Sequence, residues 1–167
     1  MPTCQHDRSL VNPALVVLGP YMPARKRRKL VKKSASVPLL KVIEFDNRME
    51  ELVAGASAVV AMGGYNTYCE ILSFDKPALI VPRIVPRQEQ LIRAQRAAEL
   101  GLIDMLLPEE SADPLRFAAA LKALPSRNPP SVNAKGLRLE GLPNISRIVG
   151  DWIDGRGGKE PLRVIKR

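Results

Sequence analysis

Five short apolar runs limit how this chain can fold: ALVVLG (14–19), LKVIEF (40–45), AVVAM (58–62), ALIV (78–81) and LIDMLL (102–107). Each is shorter than an ordinary helix and shows no strict polar alternation, so each reads as a strand buried on both faces. Helical segments separate them. Residues 24–35 hold helix formers, and Pro38 bars any continuation. After Asn47, a candidate N-cap, Met49, Leu52, Val53 and Ala56 recur on one helical face. NTYCEILS (66–73) is the third helical segment. Residues 88–101 form the fourth, with Leu91, Ala94 and Ala98 on one side and Gly101 as its C-terminal stop. Asp113-Pro114 pairs an N-cap with a proline at the first helical position and opens a helix to about Leu124. Short connections and strict alternation predict an α/β fold, a Rossmann-like parallel sheet with helices on both faces. Residues 125–136 read as a proline-rich loop, and Asn144 as the cap of a last helix carrying Ile145, Ile148, Val149, Trp152 and Ile153 on its apolar side. The expected organisation is a polar leader (1–13), one domain (14–154) and a basic tail (155–167).

A chain of 167 residues with 46% hydrophobic content suits one domain with a real core, filled by aliphatic residues because aromatics make up only 4%. The two cysteines, Cys4 and Cys69, lie far apart, and the single histidine, His6, completes no metal-ligand set. A reducing, cytoplasmic setting is expected. No apolar run is long enough to span a bilayer, and the first ten residues are too polar for a secretory signal. The net charge of +9 is concentrated in RKRRKLVKK (25–33) and in the tail. Three readings of these cations stand side by side: a solvated helix face, contact with an anionic membrane, and nucleic-acid binding. No Phe or Tyr interleaves with the charges, which argues against a stacking platform for single strands.

The third run ends in Gly63-Gly64, and a helix follows at once. Parallel α/β sheets bind ligands at the carboxyl ends of their strands, which is where this turn lies. A glycine pair turns the backbone sharply with no Cβ in a ligand's way. The free N–H groups of the next helix attract an anion, and Thr67 adds a hydroxyl. Glu70 stands one turn further, about 5 Å along the axis, where a carboxylate suits vicinal hydroxyls such as those of a ribose. A bland reading also fits: a tight turn, followed by a glutamate that favours the helix dipole.

Several blocks together narrow this choice: LGPYMP, VIEFDNRMEELVAGASAVVAMGGYNTYCEIL, KPALIVPR and PRQEQLIRAQRAAELGL. From about Leu15 to Leu124 they resemble the C-terminal, donor-binding half of GT-B glycosyltransferases, the family 28 C-terminal-like group. That group includes bacterial UDP-N-acetylglucosamine transferases of the peptidoglycan pathway. The resemblance implies a nucleotide-sugar donor, with UDP as its nucleotide, and transfer of a hexosyl group. It places Phe45 and Met49 against the base and the Asp46 backbone at the edge of uracil. Gly63, Gly64, Asn66 and Thr67 fall in the diphosphate loop, Glu70 on the ribose, and Gln90 on donor-sugar hydroxyls. Arg93 stands where relatives often carry asparagine, which leaves the sugar open. Arg83 and Arg87 flank that loop and can either neutralise diphosphate or simply be solvated. No metal or other cofactor is expected, because backbone dipoles and basic side chains can stabilise a leaving diphosphate.

The same resemblance implies a missing partner. A GT-B enzyme closes two such domains around a cleft, and this chain shows one. An N-terminal acceptor domain or a partner subunit is expected to supply the base, so the chain by itself is expected to be inactive. His6, in the leader, has nothing to orient it. Phe45 could instead be core, Cys69 a small packed helix residue and Trp152 a packing residue. Two other functions compete: a sugar-nucleotide epimerase of the same architecture, and a non-catalytic basic module for nucleic acid or anionic membrane. Nucleic acid is the less favoured partner. The expected location is cytoplasmic, with peripheral contact at the membrane's inner face as a further expectation.

Overall fold

The computed structural model describes residues 12–134 and 141–154, without the side chains of 141–143. The leader up to residue 11, with Cys4 and His6, and the tail from residue 155 lie outside the described residues. The described residues fall into two units: one runs to Ala134 and the other holds the last helix.

In the larger unit, strand β1 (Ala14–Val17) leads through helix α1 (Ala24–Ser34) to β2 (Leu40–Ile43), which pairs with it in parallel. Helix α2 (Met49–Gly55) follows, then β3 (Val59–Ala61), α3 (Tyr65–Ser73), β4 (Ala78–Ile80), α4 (Glu89–Glu99) and β5 (Asp104–Met105). β3, β4 and β5 pair in parallel in that order, with Val59 opposite Ala78 and Leu79 opposite Asp104. The alternating parallel α/β architecture is therefore as expected, but its five strands divide between two sheets. β1, β3 and β4 are all short continuous apolar segments, so the sequence pattern marks them as buried strands without saying which strand each pairs with.

The core lies in the three-stranded half. Ile71 of α3, Ala78 and Ile80 of β4, Ala94 and Ala97 of α4, and Leu102 and Ile103 before β5 form one buried cluster. Helix α4 ends as its glycine dictates. Gly101 adopts φ +68°, and its N–H donates to the Ala98 carbonyl at 2.9 Å.

Several local expectations give way to stronger partners. Asn47 does not cap α2, which begins at Met49. The Asp46 carboxylate takes that turn by accepting from the Arg48 N–H at 2.8 Å. Only Asp104 and Met105 of the 102–107 run pair as strand; Leu102 and Ile103 are spent on the core. The segment after β5 holds two further helices, α5 (Pro108–Ser111) and α6 (Pro114–Ala123). The Asp113 carboxylate caps α6 by accepting from the Leu115 N–H at 2.9 Å, as its sequence predicts.

The proline-rich segment is more ordered than a loop. It contains a 3-10 turn (Leu124–Ser126) and a short helix α7 (Pro130–Asn133). The backbone N–H and hydroxyl of Ser131 donate to Asp75 at 2.8 and 2.7 Å. The Asn133 amide donates to the Gly101 carbonyl at 2.9 Å. In the second unit, helix α8 (Gly141–Ile153) begins before Asn144, which is therefore interior and not a cap. Pro143 permits this, because a proline in the first turn removes an N–H that would have no helical partner.

Candidate functional site

The site is built where β3 hands over to α3. Gly63 adopts φ +77°, a conformation that favours glycine, and a Cβ there would sit 2.8 Å from the Ile80 Cγ2 methyl. The turn is thus closed from below by the most buried strand of the sheet. Gly64 occupies the N-cap position, and its carbonyl accepts from the Tyr68 N–H at 2.9 Å. No side chain caps α3. Among the described residues, the N–H groups of Tyr65, Asn66 and Thr67 meet no hydrogen-bond acceptor. They are the free donors of the helix start.

Glu70 lies on α3 half-buried, and its carboxylate has no ion pair or hydrogen bond among the described residues. Asn66 is exposed and Thr67 half-buried, so both can reach a ligand. Burial raises the Tyr68 phenol above its ordinary range; Cys69 adds to the rise and the Arg93 guanidinium opposes it. Cys69 itself is half-buried with a free thiol.

Helix α4 closes the other side. Arg93 Nη1 donates to the Gly63 carbonyl at 2.8 Å, and the Arg93 guanidinium lies over the Tyr65 ring, 5.5 Å from its centroid. Gln90 is buried, and its Oε1 accepts from the Arg83 N–H at 3.1 Å, which pins the segment after β4 to α4. Arg83 also faces Glu89 at 3.8 Å, while Arg87 is exposed with no partner among the described residues.

The third group, Phe45, Asp46 and Met49, sits after β2. Phe45 is 62% exposed, so it is not core and presents a free ring. Met49 is half-buried at the start of α2, and α2 lies beside α3. Asp46 is turned inward: its side chain serves Arg48 and lines a cavity of about 570 Å³ with Leu15, Leu40, Ile43 and Leu52. A second cavity of about 640 Å³ runs along Met62, Val81, Arg83, Val85 and Phe117, beside the glycine turn. The structure thus brings Gly63, Tyr65 and Arg93 together, and Gln90 with Arg83. Tyr65 has no role in the sequence reading, and the Arg93 bond to Gly63 crosses thirty residues of chain. No local pattern reports either.

The alternating α/β fold with its parallel strands matches one class, the C-terminal halves of GT-B glycosyltransferases. The model of the glycosyltransferase family 28 C-terminal domain matches residues 4–144, and the chain belongs to that family. The fold is similar to three solved glycosyltransferases. VinC, in complex with dTDP, aligns with TM-score 0.67 and 20% identity over 91% of this chain. The calicheamicin glycosyltransferase CalG4 gives 0.58 and 19% over 87%. The glycosyltransferase of kitacinnamycin gives 0.57 and 18% over 87%. The chain spans 36%, 44% and 43% of those three proteins, respectively. Among curated proteins none matches. No helix among the described residues is long and apolar enough to cross a membrane.

Proposed function

We propose that this chain is the donor-binding half of a hexosyltransferase and that it takes a UDP-sugar at the Gly63–Glu70 segment. One observation carries the reading: an uncapped helix start, held open by a glycine-only turn, with a carboxylate one turn along that has no partner among the described residues. Diphosphate would meet the N–H groups of Tyr65, Asn66 and Thr67, and the ribose hydroxyls would meet Glu70. Phe45 and Met49 would take the base. The similar fold of VinC, a glycosyltransferase in complex with dTDP, supports a nucleotide-linked donor. The leaving diphosphate would be stabilised by these donors and by arginine, with no cofactor or metal called upon.

A second half, as an upstream domain or a partner subunit, would hold the acceptor and the base. Positioning both reactants can lower a barrier by roughly 7–11 kcal/mol, and only when both are held. Peripheral contact with an anionic membrane belongs to this reading. On α1, Arg25, Lys26, Arg28, Lys29, Lys32 and Lys33 are exposed and fall on one side of the helix, while Arg27 pairs with Glu44 at 3.1 Å on the other.

Calorimetry with UDP and UDP-sugars tests the donor site. The chain should bind UDP, and Glu70→Ala should weaken binding by about 1–3 kcal/mol through loss of a charged hydrogen bond. Equal affinity in the two proteins would remove Glu70 from the ribose.

A further inference from the structure

Among the described residues, the half-buried Arg93 has no carboxylate within 4 Å. Arg27, Arg48, Arg83, Arg96, Arg116, Arg127 and Arg147 each face an acidic side chain within 4 Å. Arg93, more buried than most of them, instead spends one N–H on a neutral backbone carbonyl and sits over an aromatic ring, 5.5 Å from its centroid. A charge withdrawn from water needs an opposite charge or good hydrogen bonds, and here only part of that need is met. Four guanidinium N–H groups remain for another acceptor.

Its one bond is placed to matter. The C=O of Gly63 and the N–H of Gly64 belong to the same trans peptide and point to opposite sides. Drawing the carbonyl toward Arg93 turns the Gly64 N–H the other way. Ile80 leaves no room for a side chain at Gly63, and the Arg93–Tyr65 contact holds the first residue of α3. Arg93 therefore fixes the orientation of two residues ahead of the free N–H groups and brings a positive charge to them.

We propose that Arg93 is a positioning residue for the donor's diphosphate. It orients the Gly63–Gly64 peptide and Tyr65, and its unspent N–H groups add the charge that the two phosphates select. The proposal rests on the donor-site reading above and deepens it.

The test compares UDP with uridine in calorimetric titrations of the full chain and its Arg93→Met and Arg93→Lys variants. Wild type should bind UDP far more tightly than uridine. Arg93→Met should weaken UDP about 10- to 100-fold and leave uridine within about two-fold. Arg93→Lys keeps the charge but not the planar fork, and should recover part of the loss. It also carries the comparison if the Met variant does not fold. Equal loss for UDP and uridine would mean a general structural role and overturn the proposal, as would no loss for either. If wild type binds uridine and UDP equally, the diphosphate site fails and the donor reading fails with it. If wild type prefers UDP and the variants keep that preference, the donor reading stands and Arg93 alone is refuted.

Discussion

Every residue of β4 is buried in the three-stranded sheet, whereas Leu15 of β1 and Leu39 beside β2 keep 43% and 59% of their surfaces exposed. β1 and β4 have similar sequences, ALVV and ALI, and different fates. β4 sits between β3 and β5, with α3 and α4 supplying Ile71, Ala94 and Ala97 to the same cluster. Among the described residues, β1 and β2 pair only with each other, with α1 against β2. The candidate site is divided along this line. The loop proposed for the diphosphate rests on the packed half beside Ile80, and Phe45 and Met49, proposed to take the base, follow the open one. A preorganised loop costs little to order on binding; an exposed ring at a strand end must be ordered by its ligand.

The sharpest way to break this contrast is a matched pair of truncations. Ile80→Ala removes a fully buried side chain from the central strand and should cost about 2–5 kcal/mol. Leu15→Ala should cost less than about 1 kcal/mol, because much of that side chain is already in water. Urea denaturation of both variants measures the difference, and similar losses would mean the two sheets are equally packed.

A smaller effect probes the seam between packing and site. Gly63→Ala forces a Cβ against Ile80 at a left-handed φ and should destabilise by about 1–3 kcal/mol. Its UDP affinity should fall as well, because the peptide that Arg93 holds must shift. A variant of wild-type stability and affinity would show that the turn tolerates a side chain.

What the sequence made legible follows the reach of each interaction. The Gly63 turn, the Gly101 stop and the Asp113 cap were readable because each is decided within a few residues. Asn47 and Asn144 were misplaced as caps because Asp46 and the first-turn Pro143 compete for the same starts. The order within residues 125–136 was not visible, since Asp75 and Gly101, which tie it down, lie 56 and 32 residues away. The division into two sheets and the Arg93–Gly63 bond are of the same kind. The glycine turn between a strand and a helix is legible in the sequence; the arginine bonded to it from thirty residues away is not.

The most direct measurement is a titration of the 15N-labelled chain with UDP, followed by amide NMR. The account predicts that the largest shifts fall on Gly64, Tyr65, Asn66, Thr67 and Glu70, with smaller shifts at Phe45 and Met49 and none along the exposed face of α1. Shifts confined to α1, with the Gly63–Glu70 amides unmoved at saturating UDP, would contradict it.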